Sequence, residues 1–266
     1  MSKTANVRLM GIVNVTPDSF SDGGKFTNLK TAIAHGLQLA KEGASVLDIG
    51  GESSRPGAIP VSLQHELKRV IPVIIGLHKK TKIPLSIDTY KPEVAAQAIA
   101  AGATWVNDIT GLRNPAMREL IAKSKATIVL MHMLGEPQTM QQQPRYKNVI
   151  SDIQKFFRQQ IKLALAAGIQ PNKIILDPGI GFGKTVEHNL MILNHIEAFT
   201  KLGYPVLVGA SRKSFIGKLT GAEVADRLPG TLAAHAMAVT HGATWLRVHD
   251  VAAHQQFLTL NRKLAR

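Results

Sequence analysis

The sequence has no cysteine, which excludes a disulfide framework, a thiolate nucleophile, an iron–sulfur cluster and every zinc site that needs a thiolate. Acidic residues are scarce: 18 Asp+Glu stand against 32 Lys+Arg, a formal charge of +14. Aromatics make up only 5%, and none is interleaved with a basic stripe as a stacking platform for single-stranded nucleic acid requires. The basic residues are scattered. Their densest clusters, Lys79-Lys80-Thr81-Lys82 and Arg262-Lys263, sit next to expected helix ends, where cations complement the helix dipole. The charge therefore reads as steering for small anionic substrates, with no nucleic-acid partner. No segment approaches the ~18 uninterrupted apolar residues of a membrane span. The first residues, Met1 to Arg8, are polar and charged where a signal peptide needs an apolar core. A soluble cytoplasmic protein with no membrane partner is expected.

What is present is an ordinary globular composition, 266 residues with 45% apolar and 19% charged, and one domain over 1–266 without a linker or low-complexity tract. Short apolar runs bounded by turn residues recur at Val7 to Val13, Ser45 to Ile49, Leu85 to Ile87, Trp105 to Ile109, Thr127 to Met131, Lys173 to Leu176, Val206 to Gly209 and Thr244 to Val248. Each reads as a buried parallel strand followed by a helix. The clearest helix carries Ile150, Ile153, Phe157, Ile161 and Ala164 on one apolar stripe. Several helices end in glycine, at Gly43, Gly102 and Gly168. Eight such units predict an α/β fold, the (β/α)8 TIM barrel. An open doubly wound sheet uses the same alternation, but no Gly-x-Gly-x-x-Gly follows the first strand.

In such a barrel the site lies at the C-terminal ends of the strands. Polar residues gather there: Asn14, Asp48, Asp88, Asn107 with Asp108, His132, Asp177, Ser211 with Lys213, and Arg247 with His249. Two connections, Thr16 to Gly24 and Gly51 to Gly57, are long for strand-to-helix loops and read as lids, with Arg55 as an anion clamp. The run Asp177-Pro178-Gly179-Ile180-Gly181-Phe182-Gly183-Lys184 fails both the Walker and the dinucleotide templates. It remains an aspartate at a strand end before a glycine turn that lets a flat ligand approach the backbone. The histidines show no zinc spacing, and neither His-Glu-x-x-His nor Gly-x-Ser-x-Gly is present. Carboxylates beside amide and lysine side chains suit a flat heterocycle with donors and acceptors on its edge, while Arg55, Arg247 and His249 suit an anion such as phosphate.

Taken in order along the chain, Met10 to Gly24, Gly50 to Gly57, Ser86 to Thr89, Asn107 to Ile109, Asp177 to Lys184, Ser211 to Ser214 and Arg247 to Asp250 resemble the pterin-binding barrel family in its dihydropteroate synthase branch. The resemblance implies condensation of (7,8-dihydropterin-6-yl)methyl diphosphate with 4-aminobenzoate, giving dihydropteroate and pyrophosphate with Mg2+. It implies that Asp88, Asn107, Asp177 and Lys213 bind the pterin between apolar walls from Ile109, Met131 and Phe182. Asn14, Arg55, Arg247 and His249 would hold the diphosphate, with Asn14 also near the metal. Ser53, Ser54, Arg55, Pro56, Lys213 and Ser214 would border the aminobenzoate. Where the family usually has Ser-Thr-Arg-Pro, this chain has Ser53-Ser54-Arg55-Pro56, keeping the hydroxyl and losing a methyl. Related barrels bind methyltetrahydrofolate as methyl-transfer modules, and a silent pterin binder is a further alternative. Two diphosphate-facing loops with intact motifs favour the synthase. The family is typically homodimeric.

Overall fold

The computed structural model describes residues 7–15, 25–53 and 57–264. Eight strands form where the apolar runs place them: β1 (Arg8–Asn14), β2 (Val46–Gly50), β3 (Leu85–Asp88), β4 (Trp105–Asp108), β5 (Thr127–Met131), β6 (Ile174–Asp177), β7 (Leu207–Val208) and β8 (Trp245–Val248). All pair in parallel, in the order β6-β5-β4-β3-β2-β1-β8-β7. The two outer strands meet through a bridge between Leu176 and Val206, supported by the Leu176 N–H donating to the Pro205 carbonyl at 2.9 Å. The sheet thus closes on itself as a (β/α)8 barrel. β7 is shorter than its apolar run because Val206 is spent on that closure.

The helices are α1 (Lys25–Lys41), α2 (Leu63–His78), α3 (Pro92–Ala100), α4 (Pro115–Ser124), α5 (Val149–Ala166), α6 (Val186–Leu193), α7 (Glu197–Thr200), α8 (Ser214–Thr220), α9 (Leu228–Thr240) and α10 (Val251–Leu264). One helix per strand was expected, yet β6 is followed by α6 and α7, and β7 by α8 and α9. The second split has a legible cause. Gly221, left-handed at φ 76°, stops α8, and Pro229 in the first turn of α9 restarts the helix. In α5 the Asn148 side chain accepts from the backbone N–H groups of Ile150 and Ser151, satisfying donors the first turn leaves open. Its apolar stripe buries Ile153, Phe157, Ile161 and Ala164, joined by Val149. Ile150 lies at the edge and is only half buried.

Side chains alternate along each strand, so one set faces the helices and the other the barrel interior. Leu47, Ile87, Val106, Ile128, Leu176 and Leu246 belong to the outer layer that packs on the helices. Met10, Val46, Val129, Ile175, Leu207 and Trp245 fill the interior with Trp105; the two indole rings meet edge-on at 5.0 Å. This plug closes the bottom of the barrel and leaves the mouth to the residues two positions further along. Among the described residues, no helix is long and apolar enough to cross a membrane.

Phe157 is fully buried and packs edge-on against Phe199 with ring centroids 5.9 Å apart. Phe157→Ala should lower the unfolding free energy by about 3–5 kcal/mol, read from urea denaturation.

Candidate active site

Two residues beyond the apolar plug, the same inward parity puts Asp48, Asn107, Met131, Asp177, Gly209 and Arg247 in the next layer. Ser86 and Asp88 face inward on β3, because Leu85 and Ile87 take the outer layer. Arg247 organises this layer. Its Nε donates to Asp48 Oδ2 at 2.6 Å and its Nη2 to Asp88 Oδ2 at 2.7 Å. Asp48 Oδ2 also accepts from Asn107 Nδ2 at 3.0 Å. Asp48, one of the polar residues at the strand ends, is the centre on which Arg247 and Asn107 converge.

That network fixes which atoms remain for a ligand. The side-chain amide of Asn107 carries both a donor and an acceptor. Its donor faces Asp48, and Oδ1 is left buried without a partner among the described residues. Leaving such an acceptor unpaired costs about 1–3 kcal/mol, which a ligand N–H can offset. Burial pushes the Asp88 carboxyl up to about 7: desolvation outweighs the adjacent guanidinium, and Asp48 adds its own negative charge.

From the opposite side come β6 and its glycine turn. Asp177 Oδ1 accepts from the Gly179 N–H at 2.7 Å, and burial raises its pKa despite nearby Lys213. Lys213 donates to the Ile180 carbonyl and lies 4.5 Å from the centre of the Phe182 ring. Burial lowers its ammonium pKa to about 8, opposed by Asp177. Ile109 and Met131 form an apolar wall with Met133 and Met140, against which Tyr90 and Phe182 pack. The three expected apolar contacts are therefore neighbours.

The glycine turn packs closely against its neighbours. A Cβ on Gly179, at φ +69°, would lie 2.0 Å from the His132 carbonyl oxygen, and one on Gly183, at φ +63°, 2.6 Å from that of Leu134. Gly179 and Gly183 are needed for the close approach of the β5 loop, while a Cβ on Gly181 would lie 3.1 Å from the Lys213 side chain. Lys184 staples the two loops: its Nζ donates to the Phe182 carbonyl at 2.9 Å and to the His132 carbonyl at 3.3 Å, and lies 3.0 Å from His132 Nδ1. His132 thus leaves the basin for this staple. Asp108 leaves it as well, accepting from Thr110 N, Thr110 Oγ1 and Leu112 N.

Past β7 and β8, Ser211 Oγ lies 2.9 Å from His249 Nδ1 and accepts from the His249 N–H at 3.2 Å. Ser214 opens α8 with an exposed side chain. Asn14 ends β1 in register with Gly50, itself in register with Asp88. No group of three or more His, Asp or Glu side chains able to hold a metal exists among the described residues. The amide oxygen of Asn14 is nevertheless a hard donor of the type Mg2+ accepts when substrate phosphates and water fill its other positions. Ser53 lines a cleft with Glu52, Glu66, Asp88, Thr89 and Tyr90. Ser54, Arg55 and Pro56, and the Thr16 to Gly24 loop, lie outside the described residues. Sequence reasoning missed the cluster beneath Ser53, where Lys91 donates to Glu52 and to buried Glu66, the latter at 2.6 Å. Nothing in the spacing of these three residues signals that they meet.

A family model for pterin binding enzymes matches residues 10–249. The dihydropteroate synthase of a Synechocystis strain is 50% identical over 250 residues, covering 93% of this chain and 86% of that protein. The structure of Xanthomonas albilineans dihydropteroate synthase with 4-aminobenzoic acid superimposes with a TM-score of 0.93 at 48% identity, covering 98% of this chain and 94% of that one. The same enzyme in complex with 7,8-dihydropteroate gives 0.90 at 46% identity, covering 99% and 95%.

The raised carboxyl of Asp88 has a measurable consequence. Its pKa is about 7 in the folded chain against 3.8 for an ordinary aspartate, so between those values the folded state binds more protons than the unfolded one. The stability this contributes is fully present below the lower value and is lost as pH rises through the upper. Asp88→Asn should flatten the dependence of unfolding free energy on pH between about 5 and 7; an unchanged slope in denaturant titrations counts against the assignment.

Proposed function

The chain belongs to the pterin-binding enzyme family, and we infer that it works as a dihydropteroate synthase, condensing (7,8-dihydropterin-6-yl)methyl diphosphate with 4-aminobenzoate. The observation that carries this reading is the barrel mouth itself. There the Asp88 and Asp177 carboxylates both act on the charge of Lys213, the Asn107 oxygen is left without a partner, and Ile109, Met131 and Phe182 form an apolar wall, a set of groups suited to a flat ring with N–H groups along one edge. The solved relatives bound to 4-aminobenzoic acid and to 7,8-dihydropteroate support it from the side of the ligands.

Within this proposal the carboxylates of Asp177 and Asp88 and the Asn107 oxygen accept from the pterin amino group and adjacent ring N–H. Phe182, Met131 and Ile109 cover the ring faces. Arg247 keeps two donors on Asp48 and Asp88, and its remaining N–H groups, with His249 and Arg55, receive the diphosphate. Asn14 would hold Mg2+, which would supply positive charge to the leaving diphosphate. The bond from the exocyclic methylene to the diphosphate oxygen breaks, its electron pair leaving with pyrophosphate. The aryl amine attacks the methylene and releases a proton to solvent. Fixed cations around the departing oxygens stabilise charge as it develops. Closure of the two lids, with Ser53, Ser54, Pro56 and Ser214 beside the aminobenzoate, keeps water from the methylene.

A cytoplasmic homodimer completes the proposal. The cysteine-free sequence suits a reducing compartment. Exposed Leu190 and Met191 on α6, Leu219 on α8 and Met237 on α9 give neighbouring helices an apolar surface that a second copy can cover.

Purified protein with Mg2+ and the dihydropterin diphosphate should release pyrophosphate only when 4-aminobenzoate is added, and a chelator should stop the release. Pterin binding without release would favour the methyltetrahydrofolate module or the silent binder. Asp177→Asn keeps an acceptor for Gly179 but turns N–H groups toward the ring; calorimetry should show pterin affinity weakened at least about tenfold.

A further inference from the structure

Behind the β7 and β8 loops lies a buried pair of histidines. His235 on α9 and His254 on α10 are both fully buried, and their rings meet at 5.0 Å. The Ala210 N–H, at the end of β7, points at His235 Nε2 at 3.0 Å. A backbone N–H can only donate, so that nitrogen must accept and the ring proton must sit on Nδ1. His235 Nδ1 lies 2.8 Å from His254 Nε2 and therefore donates to it. That leaves the proton of His254 on Nδ1, which reaches the Asp250 carbonyl at 2.7 Å. Every hydrogen in this chain, from the Ala210 amide to the Asp250 carbonyl, has one allowed position. An additional proton on either ring would set two N–H groups against each other.

The two ends of the chain are informative. Ala210 immediately precedes Ser211, Arg212 and Lys213, and Asp250 immediately follows His249. The turn between them is otherwise under tension: Arg212 is left-handed at φ 56°, a conformation that costs energy for a residue with a side chain. Neighbouring groups hold it there. The Arg212 N–H donates to Thr231 Oγ1 at 3.0 Å, its carbonyl accepts from Arg227 at 3.2 Å, and its guanidinium pairs with the Asp250 carboxylate. Thr231 and His235 are one helical turn apart on α9. Both reach the same backbone.

We propose that His235 and His254 are positioning residues, a neutral pair with fixed tautomers that sets the Ser211–Lys213 turn against Arg247 and His249 and so determines how well the barrel mouth receives the pterin diphosphate. The proposal rests on the synthase reading for its kinetic consequence, but not for its tautomers. Burial, with the neighbouring His254 and Lys213, disfavours a charged His235, while at His254 burial is opposed by Asp250. These are the ionisable groups that face the pair, and on balance both rings stay neutral.

The test compares His235→Leu, which removes the acceptor for Ala210, with His235→Gln, whose amide can accept from Ala210 and donate to His254. In the leucine variant KM for the pterin diphosphate should rise about tenfold while kcat stays within about threefold, and glutamine should restore most of the loss. An unchanged KM in the leucine variant, or glutamine no better than leucine, overturns the proposal. Nitrogen-15 NMR of the unsubstituted chain decides independently of turnover, and stands in if the leucine variant does not fold. At about pH 8 both rings should show neutral Nδ1–H tautomers, and an Nε2–H tautomer or a charged ring there overturns the assignment. A chain without synthase activity would refute the activity and leave the NMR result to decide the histidines.

Discussion

The alternation of side chains along eight parallel strands is the constraint on which the rest depends. Because the period is two, a residue that enters the barrel at the level of Trp105 or Trp245 obliges the residue two places on, Asn107 or Arg247, to enter one layer higher. A dry aromatic and aliphatic floor therefore comes with a polar layer above it. The floor excludes water from below, so the carboxylates and the guanidinium in the mouth interact in a medium that screens them poorly.

That environment makes unpaired charge costly, and the pairing seen around Arg247 follows from it. Removing one member of a buried ion pair typically costs 3–5 kcal/mol, while the intact pair contributes little net stability. The cluster of Asp48, Asp88, Asn107 and Arg247 is thus better understood as orientation than as glue. It leaves the buried Asn107 oxygen without a partner among the described residues and each aspartate one oxygen off the guanidinium. The same physics keeps Lys213 easily deprotonated and the two histidines behind β7 neutral. Fixed dipoles and shared protons do the positioning that additional full charges could not do without repelling one another.

The loops obey a second constraint, close approach of backbone to backbone. Gly179 and Gly183 lie where any side chain would strike a carbonyl of the β5 loop. With the Lys184 staple across them, they hold Phe182 beside Lys213. Gly179 and Gly183 thus serve the close approach of the two loops.

Much of this was legible in the sequence. Strand positions followed from apolar runs between turn residues, the helix stops from Gly43, Gly102 and Gly168, and the mouth residues from their place at strand ends, because these are local signals with fixed periods. The motifs from Met10 to Asp250 carried the family. Local pattern could not say which polar residues face inward and which are taken by neighbours. Asp108 and His132 sit at strand ends like the others, yet bond their own loops. The Asn107 donor is consumed by Asp48, 59 positions away in sequence. Lys91 with Glu66, and His235 with His254, meet only because helices pack side by side around the barrel. The sequence by itself determined the barrel and the residue types at its mouth, since both follow from short-range periodicity. Only the tertiary structure decided the pairing of those residues, because a hydrogen bond is chosen by whichever partner lies within about 3 Å, however far away it is in the chain.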